Sequence, residues 1–358
     1  MTKLKVAVVG ATGAVGKILL AVLAERRFPL TEIVFFASPR SLGKPVAFAG
    51  KTYACQVLAP GCFDGVDIAF FDASDAVSKQ WVPAAQAAGT WVVDNSATFR
   101  YETSVPLMVP ELNAESLALA LNSGSKIITG PNCSTVQMVM ALKPIQDQWG
   151  LKRVVVSTYQ STSGAGAAAM QELQDQTAEF VGVTRTKSPQ ASPKTSGEPT
   201  VFPHPIAFNC IPHIGGFSAE TGTPYDGYSS EERKMILETR KILNLPNLAI
   251  TATAVRVPTL ACHGESINIE TLKPFNLPEI RAALIAQSGV TLVDDPLQKQ
   301  YPLGREGAGK DAVYVGRLRR DSSVENGLNL WVVSDNLRKG AALNAVQIGE
   351  LLVQRFFT

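Results

Sequence analysis

Histidine is the scarcest chemistry-bearing residue in this chain of 358 residues: there are three, His204, His213 and His263. A general base has to be found among very few groups. Cysteine is almost as sparse. Cys55, Cys62, Cys133, Cys210 and Cys262 have neither the paired spacing of a zinc site nor that of a disulfide framework, so no metal is expected, and an odd count fits a reducing compartment. An excess of one charge is missing too. Lys and Arg total 33 against 31 Asp and Glu, a net charge of +2, too small to suggest nucleic-acid binding. The single basic cluster, Arg317-Leu318-Arg319-Arg320, reads as a solvated strand end. No apolar run approaches the ~20 residues that cross a bilayer. A strand begins within a few residues of Met1, which leaves no room for a signal peptide, so the expected location is the cytoplasm. The remaining composition, 46% hydrophobic and 18% charged, is that of a soluble protein with full cores, and the length suggests two domains.

Against this background Gly130-Pro131-Asn132-Cys133-Ser134-Thr135 stands out. A short apolar run, Lys126 to Thr129, precedes it and a helical apolar pattern, Val136 to Trp149, follows. The pattern predicts strand, tight turn, helix, with Cys133 at or near the helix start. Unpartnered N–H groups and the helix dipole there favour a thiolate, the nucleophilic form of cysteine. A small buried hydrophobe is the plainer reading of a lone cysteine.

The first half alternates strand and helix. Leu4 to Val9 reads as a buried parallel strand. Gly10-Ala11-Thr12-Gly13-Ala14-Val15-Gly16 then opens an amphipathic helix to about Arg26. Glycines at 10, 13 and 16 form a variant of the dinucleotide fingerprint, in which the backbone approaches a pyrophosphate at a helix N-terminus. The second strand, Glu32 to Ala37, ends without the Asp or Glu that binds a ribose 2′-hydroxyl. It runs into Ser38-Pro39-Arg40-Ser41, and an arginine flanked by hydroxyls suits a 2′-phosphate, hence NADP(H). Asp67 to Phe71 and Trp91 to Asp94 read as further strands. Val77 to Ala88 reads as a helix with Pro83 in its first turn. Arg100, after a Ser/Thr/Asn loop, is a candidate anion clamp or a surface ion pair.

Beyond Gly150 the texture changes. Val154 to Tyr159 reads as a strand leading into Gln160-Ser161-Thr162-Ser163-Gly164-Ala165-Gly166 and an Ala/Gln-rich helix. The stretch 182–205, rich in Pro, Ser, Thr and Lys, reads as a long surface excursion, and His204 and His213 as structural or exposed. Ser230 is a plausible cap for a helix to Leu243, and Glu231 and Lys234 share one face of it. Thr251 to Val257 and Ser266 to Glu270 read as strands. Between them His263 sits in a turn bounded by Pro and Gly, with Arg256 on the strand before it. Given a candidate thiolate, His263 is the best base available. A final amphipathic helix runs to about Phe356.

These motifs together resemble the aspartate-semialdehyde dehydrogenase family over essentially the whole chain: Gly10 to Gly16, Asn95 to Arg100, Pro131 to Thr135, Tyr159 to Gly166, Glu231 to Lys234, Arg256 to Glu265 and Asn336 to Ala341. The resemblance implies an α/β fold, with a Rossmann-type NADP-binding domain (1–134 with 338–358) and an α+β, mixed-sheet substrate and dimerisation domain (135–337). It implies Cys133 as nucleophile, His263 as acid/base and Gln160 orienting the acyl group. Arg256 and Glu231 would bind the substrate carboxylate and amine, and Arg100, Lys234 and Asn132 the phosphate. Ser163, Gly164 and Asn336 would contact the cofactor. The implied reaction is reversible, NADPH-dependent reductive dephosphorylation of L-4-aspartyl phosphate to L-aspartate 4-semialdehyde through a cysteine thioester. It would serve the route to lysine and diaminopimelate, methionine, threonine and isoleucine, in a homodimer or tetramer.

The sequence departs from the family in two places. The family often has glycine where Cys262 stands before the histidine, and Asp72-Ala73-Ser74-Asp75 lacks the glycines of many members. An N-acetyl-γ-glutamyl-phosphate reductase would run the same chemistry, but Glu231 as an amine site argues against an acetylated substrate. A non-catalytic homologue would have little reason to keep Cys133, Gln160 and His263 together.

Overall fold

The computed structural model describes residues 4–184, 201–217 and 221–357. The chain forms two compact units, one of Met1–Lys143, Glu238–Asn247 and Leu337–Thr358, the other of Pro144–Leu237 and Leu248–Asn336.

In the first unit β1 (Lys5–Val9), α1 (Ala14–Glu25), β2 (Glu32–Phe36), a small hairpin of β3 (Pro45–Phe48) and β4 (Lys51–Ala54), β5 (Ile68–Phe71), α2 (Asp75–Ala87), β6 (Trp91–Asp94), the short α3 (Pro110–Asn113) and α4 (Leu117–Ser123), and β7 (Ile127–Thr129) lead to α5 (Cys133–Trp149). Five strands form a parallel sheet in the order β2-β1-β5-β6-β7. Their near-continuous apolar sequences follow from burial on both faces: Val6, Val8, Phe70 and Val93 lie in one core, Ala7, Val9, Phe71 and Val92 in another. Pro83 is not in the first turn of α2. The helix starts at Asp75, so Pro83 lies in its interior, where the missing N–H removes the bond to the Lys79 carbonyl.

The second unit holds β8 (Leu151–Gln160), α6 (Ala167–Thr184), α7 (Ser230–Ile242, of which the last turns belong to the first unit), β9 (Ala249–Arg256), β10 (His263–Thr271), α8 (Leu277–Ala286), β11 (Val290–Leu292), the one-turn α9 (Gly304–Gly307), β12 (Val313–Asp321) and β13 (Gly327–Ser334). Six strands form a mixed sheet in the order β11-β12-β13-β10-β8-β9. The pairs β8–β9 and β11–β12 are parallel and the rest antiparallel. The basic cluster lies in β12 at a register shift, with Leu318 buried and the Arg320 guanidinium 4.6 Å from the Phe275 ring centroid. The excursion from 182 begins as the last turn of α6, and 185–200 lies outside the described residues.

The cap of α7 is Ser229, not Ser230. The Ser229 N–H donates to Glu232 Oε2 at 2.7 Å and the Glu232 N–H to Ser229 Oγ at 3.4 Å, the reciprocal pattern of a capping box. Glu232 also accepts the Ala254 N–H at 2.9 Å. The adjacent acids therefore divide their work, and Glu231 is left for other partners.

After β13 the chain returns to the first unit through a π-helical turn, Arg338–Ala342, and α10 (Leu343–Phe356). Val346, Ile348 and Leu352 of α10 lie in the core with Val6, Val8 and Phe70. Lys339 in the π turn is buried, held by both oxygens of Glu111 at 2.7–2.8 Å and by Gln347 at 2.8 Å.

Candidate active site

In the first unit the glycine-rich turn leaves β1 and enters α1. Gly10 has φ +92°, and a Cβ there would run into the Asp72 carbonyl. A Cβ at Gly16 would strike the Gly10 carbonyl. Close backbone approach, not flexibility alone, requires these glycines. They open on a crevice of ≈550 Å³ lined by Gly10, Thr12, Gly13, Ser38 and Asp72 among others. Ala14, Val15 and Gly16 form the first turn of α1. Ser38 lines the crevice; Arg40 is exposed on the turn Pro39–Ser41, and Ser41 is buried beneath it. A crevice at the C-terminal ends of parallel strands, floored by glycines, fits a dinucleotide. Asp72 was not foreseen there. Burial raises its carboxyl to about 6, against the lowering effect of the Asn95 amide, which donates to Oδ1 at 2.5 Å.

Cys133 is the first residue of α5. Pro131 cannot donate, and the Asn132 carbonyl accepts the Val136 N–H at 3.0 Å, which starts the helix. Cys133 Sγ is 3.7 Å from Asn132 Oδ1. Gly340, in the π turn, backs onto it: a Cβ at 340 would stand 2.8 Å from Cys133 Cβ. Arg100 is 6% exposed. Its Nη1 donates to Glu238 Oε1 at 2.8 Å and its Nη2 to the Asn95 carbonyl at 2.6 Å. Arg100, Asn132 and Cys133 thus come together, through Glu238.

In the second unit three strand ends align. β8 pairs with β9 and β10 so that Arg256, Gln160 and His263 stand in one row, and Ser334 ends it on β13. His263 is the first residue of β10 rather than part of a turn. Register, which a turn would not provide, fixes its place. The ring is fully buried, and its Nδ1 accepts the Ser161 N–H at 3.1 Å. A backbone amide can only donate, so the neutral ring carries its proton on Nε2. Burial, and then the nearby Arg256 charge, lower its pKa to about 3 despite Glu231. Arg256 Nη1 donates to the Ser161 carbonyl at 2.5 Å. Gln160 donates to Glu231 Oε1 at 3.0 Å, and Lys234 Nζ lies 3.7 Å from Glu231 Oε2. Asn336 bonds Ser163 Oγ at 3.0 Å and accepts from Ser161 Oγ at 3.2 Å. Gly164 is the small residue beside this row: a Cβ there would meet Arg256 Nη1 at 2.9 Å and His263 Nε2 at 3.2 Å. His204 is exposed, and the His213 ring lies 4.6 Å from that of Phe217.

Cys262 has φ +65° and a buried side chain. Burial, with the Asp335 charge, pushes its thiol up to about 12. It stays protonated beside His263. Among the described residues no group of three or more His, Cys, Asp or Glu is arranged to hold a metal, and no helix is long and apolar enough to cross a membrane.

Comparison with known proteins agrees with both halves. Residues 5–120 match the semialdehyde dehydrogenase NAD binding domain, and residues 142–339 the semialdehyde dehydrogenase dimerisation domain. An aspartate-semialdehyde dehydrogenase of Aquifex aeolicus is 47% identical over 351 residues, 98% of each chain. One of Legionella pneumophila is 45% identical over 357 residues, covering 99% of this chain and 96% of that one. The crystal structure of aspartate semialdehyde dehydrogenase II from Vibrio cholerae, complexed with ASA, superimposes with a TM-score of 0.91 at 44% identity, covering 100% of both chains. With its parallel-sheet nucleotide crevice and its mixed-sheet second unit, the chain is an oxidoreductase that belongs to the aspartate-semialdehyde dehydrogenase family.

Proposed function

We propose that this enzyme converts L-4-aspartyl phosphate to L-aspartate 4-semialdehyde, reversibly, through a thioester on Cys133. The observation that carries the reading is Cys133 as the opening residue of α5, directly after the buried Asn132, in a chain so similar to named enzymes of this activity. The Cys133 thiolate attacks the acyl carbon, phosphate leaves, and a thioester forms. NADPH, when bound, supplies the hydride that reduces this carbonyl. In this reading the neutral His263 donates its Nε2–H as a hydrogen bond to the resulting oxyanion and keeps the proton, so the ring needs no change of charge. Collapse then frees the aldehyde and the thiolate. Gln160 orients the acyl group. Arg256 and Glu231 hold the substrate's carboxylate and amine, and Arg100, Lys234 and Asn132 its phosphate.

The glycine turn and crevice suit NADP(H), with Ser163 and Gly164 near its nicotinamide and Asn336 as another cofactor contact. Neutral Ala37 and Ser38 follow β2, and Arg40 and Ser41 come next, which favours a 2′-phosphate over a bare ribose. Residues 1–134 with 338–358 form the cofactor domain in this reading, and 135–337 the substrate domain through which a homodimer assembles. The product feeds lysine and diaminopimelate, methionine, threonine and isoleucine synthesis in the cytoplasm.

The test is phosphate-dependent reduction of NADP⁺ with L-aspartate 4-semialdehyde, with NAD⁺ in parallel. Cys133→Ala is expected to lower turnover by roughly 10⁴-fold or more while cofactor still binds by fluorescence titration. Undiminished turnover in Cys133→Ala would remove the thioester from the mechanism.

A further inference from the structure

Glu238 lies in the last turns of α7, outside every motif that marks the site in the sequence. Its side chain is fully buried. One carboxylate oxygen accepts Arg100 Nη1 at 2.8 Å, and the other accepts the backbone N–H of Asn132 at 2.6 Å, one residue before Cys133. One turn further along, Lys241 Nζ donates to three carbonyls of the loop that carries Arg100: Arg100 itself and Glu102 at 2.7 Å, and Val105 at 2.8 Å. Two side chains on one helical face therefore hold this loop, one by its guanidinium and one by its backbone.

We propose that Glu238 is the positioning residue that sets Arg100 and the Asn132-Cys133 turn in one fixed register, so that phosphate is held where the nucleophile attacks. The inference rests on the proposed roles of Arg100 and Cys133. A buried carboxylate is suited to the task because it accepts on both oxygens. Two donors converge on it, a cationic one on one oxygen and a backbone amide on the other, and a glutamine there would turn an NH₂ toward one of them. Charge makes the arrangement tolerable. The Arg100 cation compensates the buried anion, which would otherwise be costly so close to a thiolate. Removing either partner leaves the other's charge buried without its counterpart.

The test is Glu238→Gln, with Glu238→Asp beside it. A glutamine amide has one acceptor oxygen and one donor nitrogen, so in the present geometry Arg100 or Asn132 faces an N–H in place of its acceptor. In the oxidative direction the KM for inorganic phosphate is expected to rise roughly ten-fold or more, with the KM for NADP⁺ within about two-fold. The second readout is the pH dependence of Cys133 alkylation by iodoacetamide. Losing a negative charge beside the turn stabilises the thiolate, so the alkylation midpoint should move to lower pH in Glu238→Gln. That loss of charge acts on the midpoint whatever the role of Glu238, so it is a rise in the KM for phosphate with the KM for NADP⁺ held that a purely structural glutamate would not reproduce. Glu238→Asp keeps both acceptors on a stem one methylene shorter, and should recover part of the phosphate KM even if the glutamine variant folds poorly. An unchanged phosphate KM and an unchanged alkylation midpoint in folded protein overturn the proposal. Turnover surviving in Cys133→Ala overturns the catalytic reading instead, so the two failures are distinguishable.

Discussion

The candidate functional residues of the two units are set in place on different principles. In the first unit the chemistry stands on turns at the ends of parallel strands. Gly10 to Gly16 follows β1, the loop to Arg100 follows β6, and Cys133 follows β7, each presenting backbone N–H groups or a helix start. In the second unit it stands on strands: Arg256, Gln160 and His263 occupy matched positions on three neighbours in a mixed sheet. A turn fixes a side chain by local sequence. A register fixes it by pairing with residues about a hundred positions away. The second construction holds side chains in a row whose spacing follows from strand separation.

That difference explains what could be read in advance. The glycines, the Cys133 turn and the strand–helix alternation of the first unit are local patterns, and they are visible as such. Arg256, Gln160 and His263 could be singled out as residue types in suggestive surroundings, but not their alignment, because β10 runs antiparallel to β8 and no local signal gives that pairing. His263 looked like a turn residue for the same reason: Pro258 and Gly264 bracket it, yet strand pairing extends to it. Ser161 was visible only as one serine in a hydroxyl-rich loop; its role follows from the amide it offers to His263 Nδ1. Glu238 lies four residues beyond Lys234, the end of the last motif on α7, and its two partners come from distant loops. The cap was misread by one residue because Ser229 and Ser230 are adjacent, and only Ser229 has a glutamate three residues on that reaches back.

The sharpest way to break the contrast is to remove the imidazole from the strand row. His263→Gln is expected to lower kcat by roughly 10²–10⁴-fold. Its effect on stability has a definite sign. The folded ring resists protonation until about pH 3, because it is buried and faces Arg256, whereas the unfolded chain takes up that proton near pH 6.5. Within that window the unfolded state binds more protons. The wild type therefore loses stability as pH falls from about 6.5, by up to about 1.4 kcal/mol per pH unit from this group. Urea midpoints at pH 7 and pH 5 should separate more for wild type than for His263→Gln. Equal separations would mean that the folded ring is protonated well above pH 3 and is not held as the neutral Nε2–H form.

A smaller change keeps the row and crowds it. In Gly164→Ala the new methyl would stand 2.9 Å from Arg256 Nη1 and 3.2 Å from His263 Nε2. Gly164 is exposed and has no positive φ, so stability should change by no more than about 0.5 kcal/mol. The guanidinium must move instead. The KM for L-aspartate 4-semialdehyde is expected to rise roughly ten-fold, with kcat falling less. Steady-state kinetics beside a melting curve separate the two. If the KM holds steady, Arg256 does not meet the substrate carboxylate in the position it has here.

The smallest expected effect concerns Cys262, the residue before the histidine. Cys262 adopts φ +65°, a left-handed conformation that costs a side-chain-bearing residue about 1–2 kcal/mol relative to glycine. In return its buried Sγ fills space beside Gly307, where an added Cβ would come within 3.5 Å of it. Cys262→Gly relieves the backbone strain, but it also removes that contact and gives the unfolded chain more freedom. These contributions oppose one another, so the net change should stay within about 1 kcal/mol, a few degrees in Tm at most. Turnover should be unchanged, because a thiol held near pKa 12 has no proton to exchange at neutral pH. A loss of kcat beyond about ten-fold, with the melting temperature preserved, would show that the cysteine's conformation sets the entry angle of β10. The strand row of the second unit would then depend on a local backbone turn after all, as the candidate residues of the first unit do.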